Sequence, residues 1–142
     1  DLVKEQINVA GGKKLSVKQK DIKIKGHSIE CRINSEDPAT FVPNAGSIKN
    51  YHAPGGFGVR IDSALYSGYK VPPNYDSLIA KLIVYGNNRE EAILKLKIAL
   101  KEYVIDGINT TLSLHEKIIR ENQFISGNYD IRWLEKFLKN ND

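Results

Sequence analysis

Two residues of opposite charge stand two apart in the stretch His27-Ser28-Ile29-Glu30-Cys31-Arg32-Ile33-Asn34-Ser35-Glu36-Asp37-Pro38. From Ser28 to Ile33 the chain alternates, with Ile29, Cys31 and Ile33 on one side and Ser28, Glu30 and Arg32 on the other, the period of a half-buried strand. A carboxylate there can take a proton. A planar, permanently charged guanidinium can hold a carboxylate or phosphate, or stabilise an oxyanion. The same two residues also read as an ordinary solvated pair worth under about 1 kcal/mol, and the residues taken alone favour that plainer reading. Turn formers follow, and a residue before proline is biased away from helix, so the strand is expected to end near Asn34.

Other reactive side chains are sparse. Cys31 is the only cysteine, so no internal disulfide can form, and its place on the apolar side of the strand makes it a small buried hydrophobe. His27 follows a turn glycine and reads as a surface or packing residue rather than a metal ligand. The stretch Ala53-Pro54-Gly55-Gly56-Phe57-Gly58-Val59-Arg60-Ile61-Asp62 is dense in glycine. It is followed by β-branched residues, so the helix N-terminus that would make it a phosphate cradle is lacking. A tight hairpin is expected instead, with Phe57 and Arg60 projecting as an aromatic and cationic interface pair.

Composition bounds the rest. A chain of 142 residues is one domain long and can bury a real core. Its 21 basic and 17 acidic residues are dispersed and sum to +4, a mild field that gives no case for nucleic acid. The Lys18, Lys20, Lys23 and Lys25 cluster is interrupted by Asp21 and apolar residues, and reads as a solvated face. No apolar run is long enough to span a bilayer and no signal-peptide pattern opens the chain, so a cytoplasmic protein is expected. The chain has no methionine and begins at Asp1, and is read as a fragment lacking an N-terminal remainder.

The elements that must position these residues follow from periodicity. Residues 1–10 read as a helix stopped by Gly11-Gly12, and 15–25 as a short strand through Ile22 and Ile24. The His27 strand comes next, then a loop over 41–44, a strand over 47–52 and the glycine turn. A turn at 65–68 and a stiff extended link over 69–77 with Pro72 and Pro73 lead to a mostly buried strand over 78–85. Asn88 caps an amphipathic helix over 89–103, whose inner stripe is Ala92, Leu96, Ala99 and Tyr103, flanked by Ile93 and Leu100. A helix from Asn109 or Thr110 to Glu121 turns Leu112, Leu114, Ile118 and Ile119 inward. A loop over 124–128 precedes a last helix capped by Asp130, packing Ile131, Trp133, Leu134, Phe137 and Leu138 before a polar tail over 139–142 frays. Strands first and helices after, without βαβ alternation, predict an α+β fold with helices packed on one face of an antiparallel sheet.

Four motifs in order give the chain a family likeness. Glu30-Cys31-Arg32-Ile33-Asn34 with Glu36-Asp37-Pro38, Pro54-Gly55-Gly56-Phe57-Gly58-Val59-Arg60, Tyr75-Asp76-Ser77-Leu78-Ile79-Ala80-Lys81-Leu82-Ile83, and Asp106-Gly107-Ile108-Asn109-Thr110 resemble, at matching separations, the C-terminal domain of biotin carboxylases. The resemblance implies that domain's fold, of the rudimentary hybrid-motif type, over 13–142, with helix 1–12 as the end of an upstream ATP-grasp region. It implies an ATP-dependent C–N ligase that carboxylates biotin on a biotin carboxyl carrier protein, using ATP, Mg2+ (or Mn2+) and bicarbonate. It implies that the nucleotide lysines, the metal-binding glutamates and the base that deprotonates bicarbonate lie upstream of Asp1, so no metal ligand is expected here and the chain alone should be inactive and bind none of these cofactors.

Residue by residue, the resemblance makes Arg32 the catalytic arginine that contacts bicarbonate and the biotin ureido oxygen. Asp76 falls in a matching motif near the site, Ile131 where an apolar residue lies against adenine, and Phe57 and Arg60 on the homodimer surface. It implies acetyl-CoA carboxylase of fatty acid synthesis as the parent, with a carboxyltransferase in the complete complex. A structural and dimerisation module of pyruvate or propionyl-CoA carboxylase is the alternative.

Overall fold

The computed structural model describes residues 1–139; of the tail over 139–142 expected to fray, Lys139 is instead the last residue of a helix and 140–142 lie outside the described residues. At its centre a three-stranded antiparallel sheet runs in the order β1 (His27–Asn34), β6 (Leu78–Gly86), β4 (Val59–Ser63). These three are the longest strands among the described residues, each an alternating stretch that finds a partner strand. Cross-strand rows Ile29–Val84–Val59, Cys31–Leu82–Ile61 and Ile33–Ala80–Ser63 form its inner face. Ile33, Leu82 and Val84 are wholly buried there, and each such side chain contributes about 1.5–3 kcal/mol on leaving water.

Helix α2 (Arg89–Glu102) covers that inner face with Ala92, Ile93, Leu96, Ala99 and Leu100. Its start is fixed locally. The Glu91 N–H donates to Asn88 Oδ1 at 2.9 Å, and Glu91 Oε2 accepts from the Asn87 N–H at 2.9 Å, a reciprocal cap displaced by one residue. The α+β architecture with helix packing on one face of an antiparallel sheet is therefore as the sequence predicts.

Several local expectations are corrected. Residues 15–25 form no strand; only a 3-10 turn at Gln19–Asp21 interrupts extended chain. The alternation there has no partner strand to pair with, and Ile22 and Ile24 face water at 55 % and 96 % exposure. The glycine turn is not a hairpin, because its flanks pair elsewhere: β3 (Tyr51–His52) with β7 (Val104–Ile105), and β4 with β6. The turn docks on β6 through the Tyr85 N–H, which donates to Gly58 O at 2.8 Å. Gly58 has a positive φ of 79°, and a Cβ there would stand 2.5 Å from Tyr85 O, so the docking requires glycine.

The single strand expected over 47–52 is two short pieces. β2 (Gly46–Ser47) pairs with β5 (Lys70–Val71), which ends at Pro72, whereas β3 pairs with β7. Ile48, 1 % exposed, sits between them, bonded to Tyr69 O through its N–H and to the Gly68 N–H through its carbonyl. Helix α3 (Leu112–Ile118) starts later than Asn109 or Thr110, and Leu114 and Ile119 are its buried contacts. The loop expected over 124–128 is largely a short helix, α4 (Asn122–Ser126), closed by Gly127 in the left-handed conformation. In the last helix, α5 (Trp133–Lys139), Phe137 is buried, but Ile131 precedes the helix and is 98 % exposed rather than packed. Asp130 does open this segment, its carboxylate accepting from the Arg132 N–H at 2.8 Å.

Helix α1 (Leu2–Ala10) is capped by Asp1, whose side chain accepts from the Lys4 N–H at 3.0 Å. It buries no residue among those described. No helix of the described residues is long and apolar enough to cross a membrane.

Candidate functional site

The face of the sheet opposite α2 is charged. Strand alternation and register place Glu30 in a row with Ile83 and Arg60, and Arg32 in a row with Lys81 and Asp62. Arg32 is exposed and Lys81 half-buried. Among the described residues no ion pair joins Glu30 to Arg32. The ion pair of this face is Arg60 Nε with Asp62 Oδ1 at 2.8 Å, which holds the Asp62 carboxyl below its usual range. Arg32 and Lys81 make no side-chain hydrogen bond among the described residues, so two cations stand opposite each other with their donors available. Such a pair can bind an anion or stabilise an oxygen on which negative charge develops.

Beyond Arg32, β1 leaves the ladder at an irregularity between Ile33 and Asn34. Glu36 Oε1 accepts from Asn34 Nδ2 at 3.1 Å and from the Ser77 hydroxyl, and the Ser35 N–H donates to Ser77 O at 2.8 Å. Asn34 Oδ1 is buried without a hydrogen-bond partner among the described residues. These contacts bring the Tyr75-Asp76-Ser77 loop to the end of β1. Asp76 itself is exposed and accepts from the Ser77 N–H at 2.9 Å, with no bond to Arg32.

At Arg32 and Asn34 the outer edge of β1 is met by the start of α3. Thr111 Oγ1 accepts from the Asn34 N–H at 3.0 Å and donates to Arg32 O at 3.3 Å, and the Thr111 N–H donates to Asn34 O at 3.1 Å. His115 Nε2 lies 2.9 Å from the same Arg32 carbonyl. Burial pushes the His115 ring below its ordinary pKa. Sequence reasoning missed Thr111 and His115, because no local pattern shows where the start of a helix meets a strand so far back in the chain; the Thr111 to Arg32 and His115 to Arg32 separations are 79 and 83 residues.

Phe57 and Arg60 project from one end of the sheet. Phe57 is 92 % exposed, with Lys95 Nζ 5.4 Å from its ring centroid. Arg60 is exposed yet engaged by Asp62. Ile131 lies apart from this face beside an aromatic run in which Phe124 stacks on Tyr129 and Trp133 on Phe137. His27 bonds Arg89, Nε2 to Nη1 at 3.0 Å, joining the start of β1 to α2. Burial pushes the Cys31 thiol up to about 12, so it is no nucleophile at neutral pH. No group of three or more His, Cys, Asp or Glu among the described residues could hold a metal ion.

A family model, the biotin carboxylase C-terminal domain, matches residues 30–136. The chain is 54 % identical over 138 residues to the biotin carboxylase of Pseudomonas aeruginosa, covering 97 % of this chain and 31 % of that protein. It is 51 % identical over 143 residues to a pyruvate carboxylase subunit of Methanothermobacter thermautotrophicus, covering 100 % and 29 %. Among solved structures, the biotin carboxylase domain dimer of Hydrogenobacter thermophilus 2-oxoglutarate carboxylase, in complex with MgADP, ADP and bicarbonate, superposes with a TM-score of 0.90 at 46 % identity, covering 96 % of this chain and 30 % of that one. The Campylobacter jejuni biotin carboxylase complex with β-γ-ATP gives 0.89 at 45 %, covering 96 % and 30 %. This chain belongs to the biotin carboxylase C-terminal domain family. It spans about a third of the length of the curated relatives it matches.

Proposed function

We propose that this chain is the C-terminal part of a biotin carboxylase, which uses ATP and bicarbonate to carboxylate biotin on a carrier protein. The observation that carries the reading is the free guanidinium of Arg32 beside Lys81 on the uncovered sheet face. Loss of the ureido proton of biotin leaves negative charge on the ureido oxygen, and a planar cation held there stabilises that charge without reorganising. Bicarbonate, also an anion, suits the same group. Asp76 borders this site at the end of β1. Residues 1–12 are read as the end of an ATP-grasp region and 13–142 as the C-terminal domain.

From the family likeness, the metal and most nucleotide contacts are assigned to other parts of the whole protein. Ile131, exposed, is read as an apolar contact for adenine. Phe57 and Arg60 are read as part of a homodimer surface, and the protein as cytoplasmic. Acetyl-CoA carboxylase is the parent we infer, with a biotin carboxyl carrier protein and a carboxyltransferase as partners. Pyruvate carboxylase is the second reading, favoured by the 51 % identity to the archaeal pyruvate carboxylase protein.

The deciding experiment measures transfer of labelled bicarbonate to free biotin by the whole protein. Arg32→Ala is expected to lower turnover by about two to three orders of magnitude, the effect of removing one preorganised donor to an oxyanion, and near-normal turnover would remove Arg32 from the site. The 142-residue chain alone is expected to bind neither ATP nor bicarbonate in calorimetry.

A further inference from the structure

We propose that Thr111 and His115, at the start of α3 and within it, are positioning residues for Arg32, fixing the main chain from which its guanidinium projects. The inference rests on the reading of Arg32 as the oxyanion-binding group. β1 is an edge strand, bonded to β6 on one side only. Its other side, at Arg32 and Asn34, is met by side chains and backbone of the α3 segment rather than by a further strand.

The arrangement is specific in its chemistry. A carbonyl can only accept, so His115 presents a protonated Nε2 to Arg32 O, and burial of the ring disfavours its cation. Thr111 is 5 % exposed and its hydroxyl is used in both directions, accepting from Asn34 and donating to Arg32. That hydroxyl makes no capping bond to α3, the role a threonine at a helix start usually has. Its donor capacity is directed at β1 instead.

Arg32 makes no side-chain bond within the described residues, so its guanidinium is placed by its Cα position and rotamer alone. A displacement of about 1 Å at a reacting group can cost about 100-fold in rate. The clamp lies where β1 departs from regular register, the point at which the strand is least held by β6.

The experiment uses the whole protein and free biotin. Thr111→Val and His115→Leu are expected to lower kcat by about tenfold to 100-fold with the KM for ATP unchanged. Thr111→Ser and His115→Gln, which keep a donor, recover most of the rate. In a double-mutant cycle, Arg32→Ala with His115→Leu is no slower than Arg32→Ala alone, because His115 acts through Arg32. Losses that multiply, or wild-type kcat in both Thr111→Val and His115→Leu, overturn the positioning role while leaving Arg32 in place. Wild-type turnover in Arg32→Ala overturns the functional reading and this one with it. Should Thr111→Val fail to fold, the half-buried His115 position supplies the same comparison.

Discussion

Arg32 on β1 and Lys81 on β6 stand directly opposite each other on the uncovered face of the sheet. Like charges so placed are destabilising, by a few tenths of a kcal/mol up to about 1 kcal/mol on the scale of cross-strand pairs. Arg32→Ala should therefore leave the melting temperature unchanged or slightly higher. An Arg32 paired with Glu30 would instead lose a few tenths of a kcal/mol on truncation. Thermal unfolding of the variant beside the parent separates the two.

If Phe57 and Arg60 form the homodimer surface proposed above, Phe57→Ala combined with Arg60→Glu should shift the whole protein toward monomer, since it removes an exposed aromatic and reverses a charge. Sedimentation velocity at low micromolar concentration reads the change. An unaltered sedimentation coefficient would take both residues off the interface.

His115 gives a pH dependence with a definite sign. Its folded pKa lies below the ordinary value because burial disfavours the cation. As pH falls below about 6.5, the unfolded chain takes up the proton first, and stability is lost toward acid. The stability advantage of the parent over His115→Gln should therefore shrink as the pH is taken from about 7.5 to about 5.5. The carboxyls held low, among them Asp37, Asp62 and Glu91, titrate below this window. A constant difference across it would contradict the assignment.

Leu82 is wholly buried between Cys31 and Ile61 under α2. Leu82→Ala should cost about 2–5 kcal/mol, measured by urea unfolding of the 142-residue chain. A loss under about 1 kcal/mol would mean that the core closes over the cavity.

What could be read in the sequence were the elements whose pattern runs long enough to be periodic. The alternation of Ser28 to Ile33 and of Leu78 to Tyr85 and the stripe Ala92, Leu96, Ala99 and Tyr103 each correspond to a buried face. The two-residue strands β2, β3, β5 and β7 had no such signal, since their pairing is decided by partners far along the chain. Ile22 and Ile24 show the converse, alternation without a partner. For the site, alternation put Arg32 on the exposed side, but Lys81 opposite it depends on register, and Thr111 and His115 depend on where a helix docks.

Both outer strands of the central sheet, β1 and β4, pair only with β6, which follows them in sequence. During synthesis from the N-terminus neither can close a ladder until residues 78–86 have emerged. The loops to be closed are long, and long-range antiparallel pairing is slow to nucleate. Until then the apolar sides of β1 and β4 have no sheet partner, and α2, which follows β6 after two residues, arrives directly afterwards to cover them. Folding of this chain is thus timed by one strand.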